Sequence, residues 1–131
     1  MARIITVVFL VLHGLVHLLY LGQAAKVFEL QPGLSWPSGS WLFSRALGEG
    51  GTRTLACVLC ALTALGFVIG AAGLLFDQTW WRSAVVGTAA FSVLLYIMFW
   101  NGRVERLDQQ GVVGILLDAA IVVIVLMFKW P

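Results

Sequence analysis

Four long apolar runs, each free of Lys, Arg and Glu, constrain the fold of this chain more than any other feature. In chain order they are Ile4–Ala25, Thr54–Phe76, Ser83–Gly102 and Gln109–Phe128. A helix of about 20 apolar residues matches the hydrocarbon core of a bilayer. Because backbone polar groups in lipid must pair within their own segment, each run is predicted to be a transmembrane helix. The sequence thus predicts an all-α integral membrane four-helix bundle, with residues 1–131 forming a single transmembrane domain.

The overall composition supports a protein that is surrounded by lipid. Hydrophobic residues make up 61% of the chain and charged residues 11%, and the mean hydropathy is +0.99. A water-soluble domain of this length needs more polar surface than that composition supplies. The net charge of +2 is too small to indicate a nucleic-acid partner. We expect a multi-pass protein of the cell membrane whose main partner is the bilayer, with other membrane subunits or a homo-oligomer left open.

The longest connection, Lys26–Arg53, is the least membrane-like part of the chain. Its Trp36–Trp41 stretch mixes turn residues with large aromatic side chains, and such residues favour the headgroup region. Ser38 or Ser40 is expected to cap a short helix that runs to Leu47 and ends at the glycines that follow. We predict an interfacial segment that packs over the bundle, with a functional lid as the alternative.

The second run contains a stripe of glycines that indicates close helix packing. Gly66 and Gly70 form a GxxxG step, and Gly73 extends it. Small residues allow neighbouring helix backbones to approach closely in a membrane. The stripe predicts helix packing inside the bundle, and a dimerisation face is the alternative.

Polar residues inside the apolar runs are the candidate functional residues, because burying them in lipid costs free energy. His13 and His17 are four residues apart, so both rings project from one helix face. Asp118 is the only acidic residue within the four runs. Counting residues from the ends of antiparallel helices places Asp118 level with His17. The candidate polar or ligand-binding cluster is His13, His17, Tyr20, Cys57, Cys60, Tyr96 and Asp118.

Three interpretations of this cluster compete. The two histidines could be ligands of haem or a metal, with Asp118 as a supporting partner. Cys57 and Cys60, in a CxxC spacing, could be a redox pair of the kind found in membrane thiol oxidoreductases. Alternatively, His17 and Asp118 form a hydrogen bond with each other across the bundle and have only a structural role. The sequence identifies no particular cofactor or metal.

Three short motifs carry a resemblance to a known group of proteins. They are His13–Leu19 in the first run, Trp80-Trp81 before the third, and Trp100–Gly102 followed by the glycine-led Gly111–Ile115. In these motifs the chain resembles small bacterial four-helix membrane proteins of unassigned function, and its general layout is DoxX-like over nearly its whole length. That resemblance implies quinone-linked or thiol-related respiratory chemistry. The long Trp-rich first loop and the paired histidines depart from the DoxX pattern, and no catalytic residue is carried over from it.

The sequence contains no complete catalytic set, such as a nucleophile elbow, a phosphate-binding glycine loop or an HExxH motif. We therefore expect a small non-catalytic membrane protein, either an accessory subunit of a larger complex or a small-ligand-binding bundle. One alternative is a redox protein that binds a quinone, haem or metal through His13, His17, Cys57, Cys60 and Asp118. Another is an oligomeric transporter or channel.

Overall fold

The computed structural model describes residues 1–28, 40–100, 102 and 111–131, and this part of the chain is helical without strands. The four helices are α1 (Ala2–Ala24), α2 (Ser44–Leu75), α3 (Trp81–Met98) and α4 (Val112–Leu126). The four predicted helices are confirmed, although their bounds differ by a few residues from the apolar runs and α2 begins ten residues before Thr54. Residues Trp36, Ser38 and Gln109, which figure in the sequence predictions, lie outside the described residues.

Contacts between helix ends show that successive helices run antiparallel. An exposed ion pair, 2.9 Å long, joins Arg3 at the start of α1 to Asp77 just after α2. The guanidinium of Arg82 at the start of α3 donates to the carbonyl of Lys129 beyond α4, at 3.1 Å. The first and last described residues therefore share one end of the bundle. We call it end A, and the opposite end is end B.

Three of the helices in the described part of the chain are long and apolar enough to cross a membrane, namely α1, α2 and α3. The remaining helix, α4, is also apolar but has 15 residues, or about 22 Å of helix. The described part of the chain is thus all-helical and contains helices of membrane-spanning length.

The distribution of side chains on α1 is the reverse of that in a water-soluble helix. Its buried face includes the polar residues Thr6, His13 and His17. Its exposed face is apolar, and Ile5 and Leu12, for example, are 62% and 57% exposed. A soluble helix would turn polar residues outward, whereas lipid makes an apolar exterior stable. The pattern therefore favours a hydrocarbon environment around α1.

The interior of the bundle consists of two apolar clusters with polar residues between them. The cluster nearer end A is formed by Leu10, Phe67, Ala71, Leu74, Trp81, Val85, Ala89, Ile121 and Val125. The cluster nearer end B is formed by Ala24, Ala56, Cys60, Leu95, Tyr96 and Phe99. On each of α1, α3 and α4, buried polar residues fall between the two clusters. We call His13, His17, Ser92 and Asp118 the polar layer.

The start of α2 agrees with the prediction of a short helix ending at Leu47. The range Ser44–Leu75 joins two helical segments across a kink at Gly48, whose φ of 70° and ψ of 179° are not helical. Glycine adopts this backbone conformation without the steric cost of a side chain. The hydroxyl of Thr52 donates to the Gly48 carbonyl at 2.6 Å, which satisfies an acceptor near the kink. The two segments together make α2 32 residues long, more than a bilayer span requires.

The described residues just before α2 pack over end B of α3, which agrees with the predicted packing of this segment over the bundle. The hydroxyl of Ser40 accepts hydrogen bonds from the N–H groups of Leu42 and Phe43, at 3.1 and 3.0 Å. The indole N–H of Trp41 donates to the Ile97 carbonyl at 2.9 Å. The Ser40 hydroxyl therefore caps the turn that precedes α2, whereas α2 itself begins at Ser44 with Phe43 as its N-cap and has no side-chain cap hydrogen bond, so the predicted capping of the helix by Ser40 is not found.

The glycine stripe of α2 packs against α3 within the chain. A Cβ atom added at Gly66 would meet the side chain of Thr88, and one added at Gly70 would meet Val85. At Gly73 the added atom would lie 2.8 Å from the Trp80 ring. These positions leave no room for a side chain, which is the packing role that the sequence predicts.

Candidate functional site

The polar layer contains a buried hydrogen bond between α1 and α4. Nε2 of His13 lies 2.8 Å from Oδ1 of Asp118, and the two side chains are 4% and 0% exposed. Because a carboxylate oxygen can only accept, the imidazole N–H is the donor. A buried carboxylate is costly unless it is paired or hydrogen-bonded. The contact therefore offsets the cost of placing Asp118 inside the bundle and joins the first helix to the last.

A second polar contact links α1 to α3. The Nε2 atom of His17 lies 2.8 Å from the hydroxyl of Ser92, and its Nδ1 lies 3.2 Å from the His13 carbonyl. Because a carbonyl can only accept, Nδ1 carries the hydrogen, and in a neutral ring Nε2 then accepts from the serine hydroxyl. Both residues are fully buried. Sequence reasoning missed Ser92, because a serine in a membrane helix usually bonds its own backbone.

The partner of Asp118 differs from the predicted one, since the carboxylate bonds to His13 and not to His17. The prediction assumed that all helix ends lie at one level. His13 lies 11 residues before the end of α1 at Ala24, about 16 Å along the helix, whereas Asp118 lies six residues after Val112, about 9 Å. The start of α4 therefore lies about one turn further from end B than the end of α1 does. As a result Asp118 is level with His13, which is one turn further from end B than His17.

Aromatic rings surround the two imidazoles. The Phe67 ring lies edge-to-face with His13 at 4.8 Å between centroids, and 5.7 Å from His17. Gly14 makes this approach possible, because a Cβ there would lie 3.1 Å from both the Ala64 carbonyl oxygen and Phe67 Cβ. The histidine side chains are thus held in a tight, mostly apolar environment.

One atom of the polar layer has no hydrogen-bond partner. Oδ2 of Asp118 is buried and unpaired among the described residues. Leaving a buried acceptor unsatisfied costs about 1–3 kcal/mol. The carboxylate could therefore accept one further donor, supplied by a bound molecule or a proton. No group of three or more His, Cys, Asp or Glu side chains with metal-binding geometry occurs in the described ranges.

The remaining residues of the predicted cluster lie toward end B. The Tyr96 ring contacts both His17 and Tyr20, with centroid distances of 6.0 Å in each case. Cys60 is fully buried in the same apolar cluster as Tyr96. Cys57 is half-buried, and its thiol donates to the Leu21 carbonyl at 3.7 Å. The structure thus divides the predicted cluster: the histidines, Asp118 and Tyr96 lie together, whereas Cys57 packs at the margin of the end-B cluster and makes its hydrogen bond to the backbone of α1.

A lateral groove of about 270 Å³ separates α1 from α4 near end A. It is lined by Ile5, Thr6, Phe9, Leu10, Ile121, Ile124, Val125 and Trp130. Its polar groups lie toward end A, where the indole N–H of Trp130 donates to the Thr6 hydroxyl at 3.1 Å. At the other end, the Phe9 ring stacks on His13 with centroids 5.9 Å apart. The groove is therefore apolar, adjoins the polar layer and is bounded by exposed residues of both helices.

Comparison of the chain with protein-family models, curated proteins and solved structures gives no match. The DoxX-like resemblance consequently stays a prediction from short motifs, and the site is interpreted from its own geometry.

Proposed function

We propose that this chain is a multi-pass protein of the cell membrane in which all four helices span the bilayer. The apolar exterior of α1 and the presence of three membrane-length helices support this proposal. The shorter α4 is followed by the apolar residues Met127 and Phe128, which extend its hydrophobic stretch. Its Asp118 is paired inside the bundle, so its acidic side chain does not have to face lipid.

Cysteine labelling would distinguish four spans from three. In a chain with Cys57 and Cys60 changed to alanine, single cysteines would replace Thr79 and Lys129 at end A and Glu49 near end B. With four spans, Thr79→Cys and Lys129→Cys react from one side of the membrane and Glu49→Cys from the other. Reaction of Lys129→Cys from the same side as Glu49→Cys would show that α4 does not cross.

Within this architecture, we propose that the protein binds a small apolar molecule without transforming it. The observation that carries the proposal is the groove between α1 and α4, because exposed apolar residues of both helices line it and it ends at Phe9, whose ring stacks on His13. Its walls fit hydrocarbon, and Thr6 and Trp130 place a hydroxyl and an indole at its end A. Apolar pockets with a few polar groups are typical ligand sites.

The buried polar residues support binding over catalysis in this proposal. His13 is bonded to Asp118 and His17 to Ser92, so each contact holds a pair of helices together. Such contacts position α1 against its neighbours and thereby shape the groove. A catalytic role would instead require at least one of these groups to face a reacting molecule.

Photo-crosslinking would test the proposed groove. A photoreactive amino acid would replace Ile124 in the groove wall, and a matched variant would carry it at Leu12, which is exposed on α1 but does not line the groove. We expect a restricted set of small-molecule adducts at position 124 and bulk lipid adducts at position 12, both identified by mass spectrometry. The same adduct distribution at both positions would contradict a specific ligand site.

A further inference from the structure

A second cavity lies at end B, between the end of α1 and the first half of α2. Its volume is about 530 Å³. It is lined by Ala24, Ala25, Lys26, Gly50, Arg53, Thr54 and Cys57. It lies at the other end of the bundle from the groove between α1 and α4, and the two share no lining residue.

Among the residues that the structure describes, the charged side chains lining this cavity are both positive. They are Lys26 and Arg53, and no acidic residue of the described ranges lines it. Glu49, next to Gly50 in the chain, is exposed and does not line the cavity. Two cations that share a cavity repel each other unless an anion lies between them.

Arg53 also has an unused hydrogen-bond donor. Its Nε is buried and has no partner among the described residues, and it forms none of the ion pairs found there. A guanidinium offers donors in a rigid planar fork that suits the oxygens of a phosphate. A buried donor of this kind is costly unless a partner is supplied.

The end of α1 places Lys26 beside Arg53. Lys26 has a φ of 60°, and the N–H groups of Lys26 and Val27 donate to the Gln23 and Gly22 carbonyls, both at 2.9 Å. This is the hydrogen-bond pattern of a Schellman helix end, in which the left-handed position is usually glycine. Here a lysine takes that strained position, and it lines the cavity.

We propose that this cavity binds a phosphate group, with Arg53 donating through its guanidinium and Lys26 contributing a second positive charge. The cavity volume falls within the range of small-molecule sites and exceeds the space that a bare phosphate needs. Because end B lies at the membrane surface in the four-span arrangement, the phosphate of an anionic lipid headgroup is the expected source. Basic pockets between membrane helices bind such headgroups.

The native thiols provide a reporter for this site. Cys57 lines the cavity and is half-buried, whereas Cys60 is fully buried in the apolar interior. The full chain would be placed in nanodiscs of phosphatidylcholine with or without phosphatidylglycerol, and the rate of Cys57 labelling by an uncharged maleimide would be measured. We expect phosphatidylglycerol to slow labelling about tenfold when the site is nearly saturated, since only the unoccupied fraction reacts.

Three variants control for the charge of the bilayer surface. Arg53→Gln and Lys26→Gln should lose the protection, while Arg45→Gln, which removes an exposed cation outside the cavity, should keep it. Circular dichroism would confirm that each variant is folded. If Arg53→Gln does not fold, Lys26→Gln alone tests the proposal. In detergent, protection by inorganic phosphate and not by phosphatidylglycerol would support the site and assign it to free phosphate. The proposal would be overturned if neither phosphatidylglycerol nor inorganic phosphate protected Cys57 in the parent chain. It would also be overturned if folded Arg53→Gln and Lys26→Gln were protected as strongly as the parent.

Discussion

His13 Nε2 and Asp118 Oδ1 lie 2.8 Å apart although the two residues are separated by 105 positions in the chain. Asp118 is the only acidic residue within the four apolar runs, and it contacts the face of α1 that carries His13 and His17. Both side chains are buried, so each removes part of the cost of burying the other. The pair therefore stabilises one arrangement of α1 against α4.

A double-mutant cycle on His13 and Asp118 should reveal a favourable coupling energy. Asp118→Ala leaves His13 without its acceptor, so the single variants should each lose about 1–3 kcal/mol of stability. The coupling is expected near the bilayer values of about 0.6 to 1.7 kcal/mol. Unfolding of the purified protein by denaturing detergent would measure it. A cycle on His17 and Asp118 is the control and should give a smaller coupling, and equal couplings would contradict the assigned pairing.

Ser92→Ala should destabilise the protein by about 1–3 kcal/mol, because it leaves Nε2 of His17 buried without a partner. Ser83→Ala is the matched control on α3, since Ser83 is exposed, and its effect should stay within about 0.5 kcal/mol. Thermal unfolding of the two variants in the same detergent would compare them. Similar midpoints would show that the His17–Ser92 contact contributes little.

Gly70→Ala should destabilise the packing of α2 on α3, because the new Cβ would collide with the Val85 side chain. Overpacking of this kind typically costs about 1–3 kcal/mol. Gly87→Ala is the opposite case, since nothing lies within 4 Å of a Cβ there, and it should be neutral or stabilising by up to about 1 kcal/mol. The difference in unfolding free energy between the two variants is the measurement. An equal response would argue that the two helices can separate at Gly70 without cost.

Changing Cys57 to alanine should leave stability within about 0.5 kcal/mol of the parent, because the side chain is only half-buried. Cys60→Ala should cost more, about 1 kcal/mol, since it leaves a small void in the interior.

Both cysteines are free thiols, and a bridge at this spacing would require distortion of the helix. Mass spectrometry of protein alkylated in native membranes should find two free thiols. Recovery of an intramolecular disulfide would instead favour the redox interpretation.

The sequence was sufficient to predict the helices and to place the two histidines on one helix face. Apolar length located α1 to α4, and the spacing of His13 and His17 put both rings on the same face of α1, which the structure shows to be buried. Helical periodicity is a property of one segment, so it can be read without knowing the neighbours. For the same reason the glycine stripe of α2 was recognised before its partner helix was known.

The partners of the buried polar residues could not be predicted, because they depend on how far one helix is shifted along another. Ser92 shows the difficulty. Thr63 and Thr88 also lie within apolar runs, yet their hydroxyls donate to their own helices, at the Leu59 and Ala84 carbonyls. Nothing in the sequence distinguishes Ser92, which contacts His17, from these two threonines. The groove and the end-B cavity each form between two helices, so the sequence of a single helix does not predict them.

The polar layer also has a consequence for biosynthesis. The chain is made from its amino terminus, so the imidazoles of α1 are synthesised well before their partners exist. Ser92 follows His17 by 75 positions and Asp118 follows His13 by 105. Until α4 has been made and has packed against α1, His13 lacks the acceptor that it has in the folded protein. A nascent chain released before α4 is complete would therefore hold His13 unpaired, which makes assembly of this bundle dependent on α4.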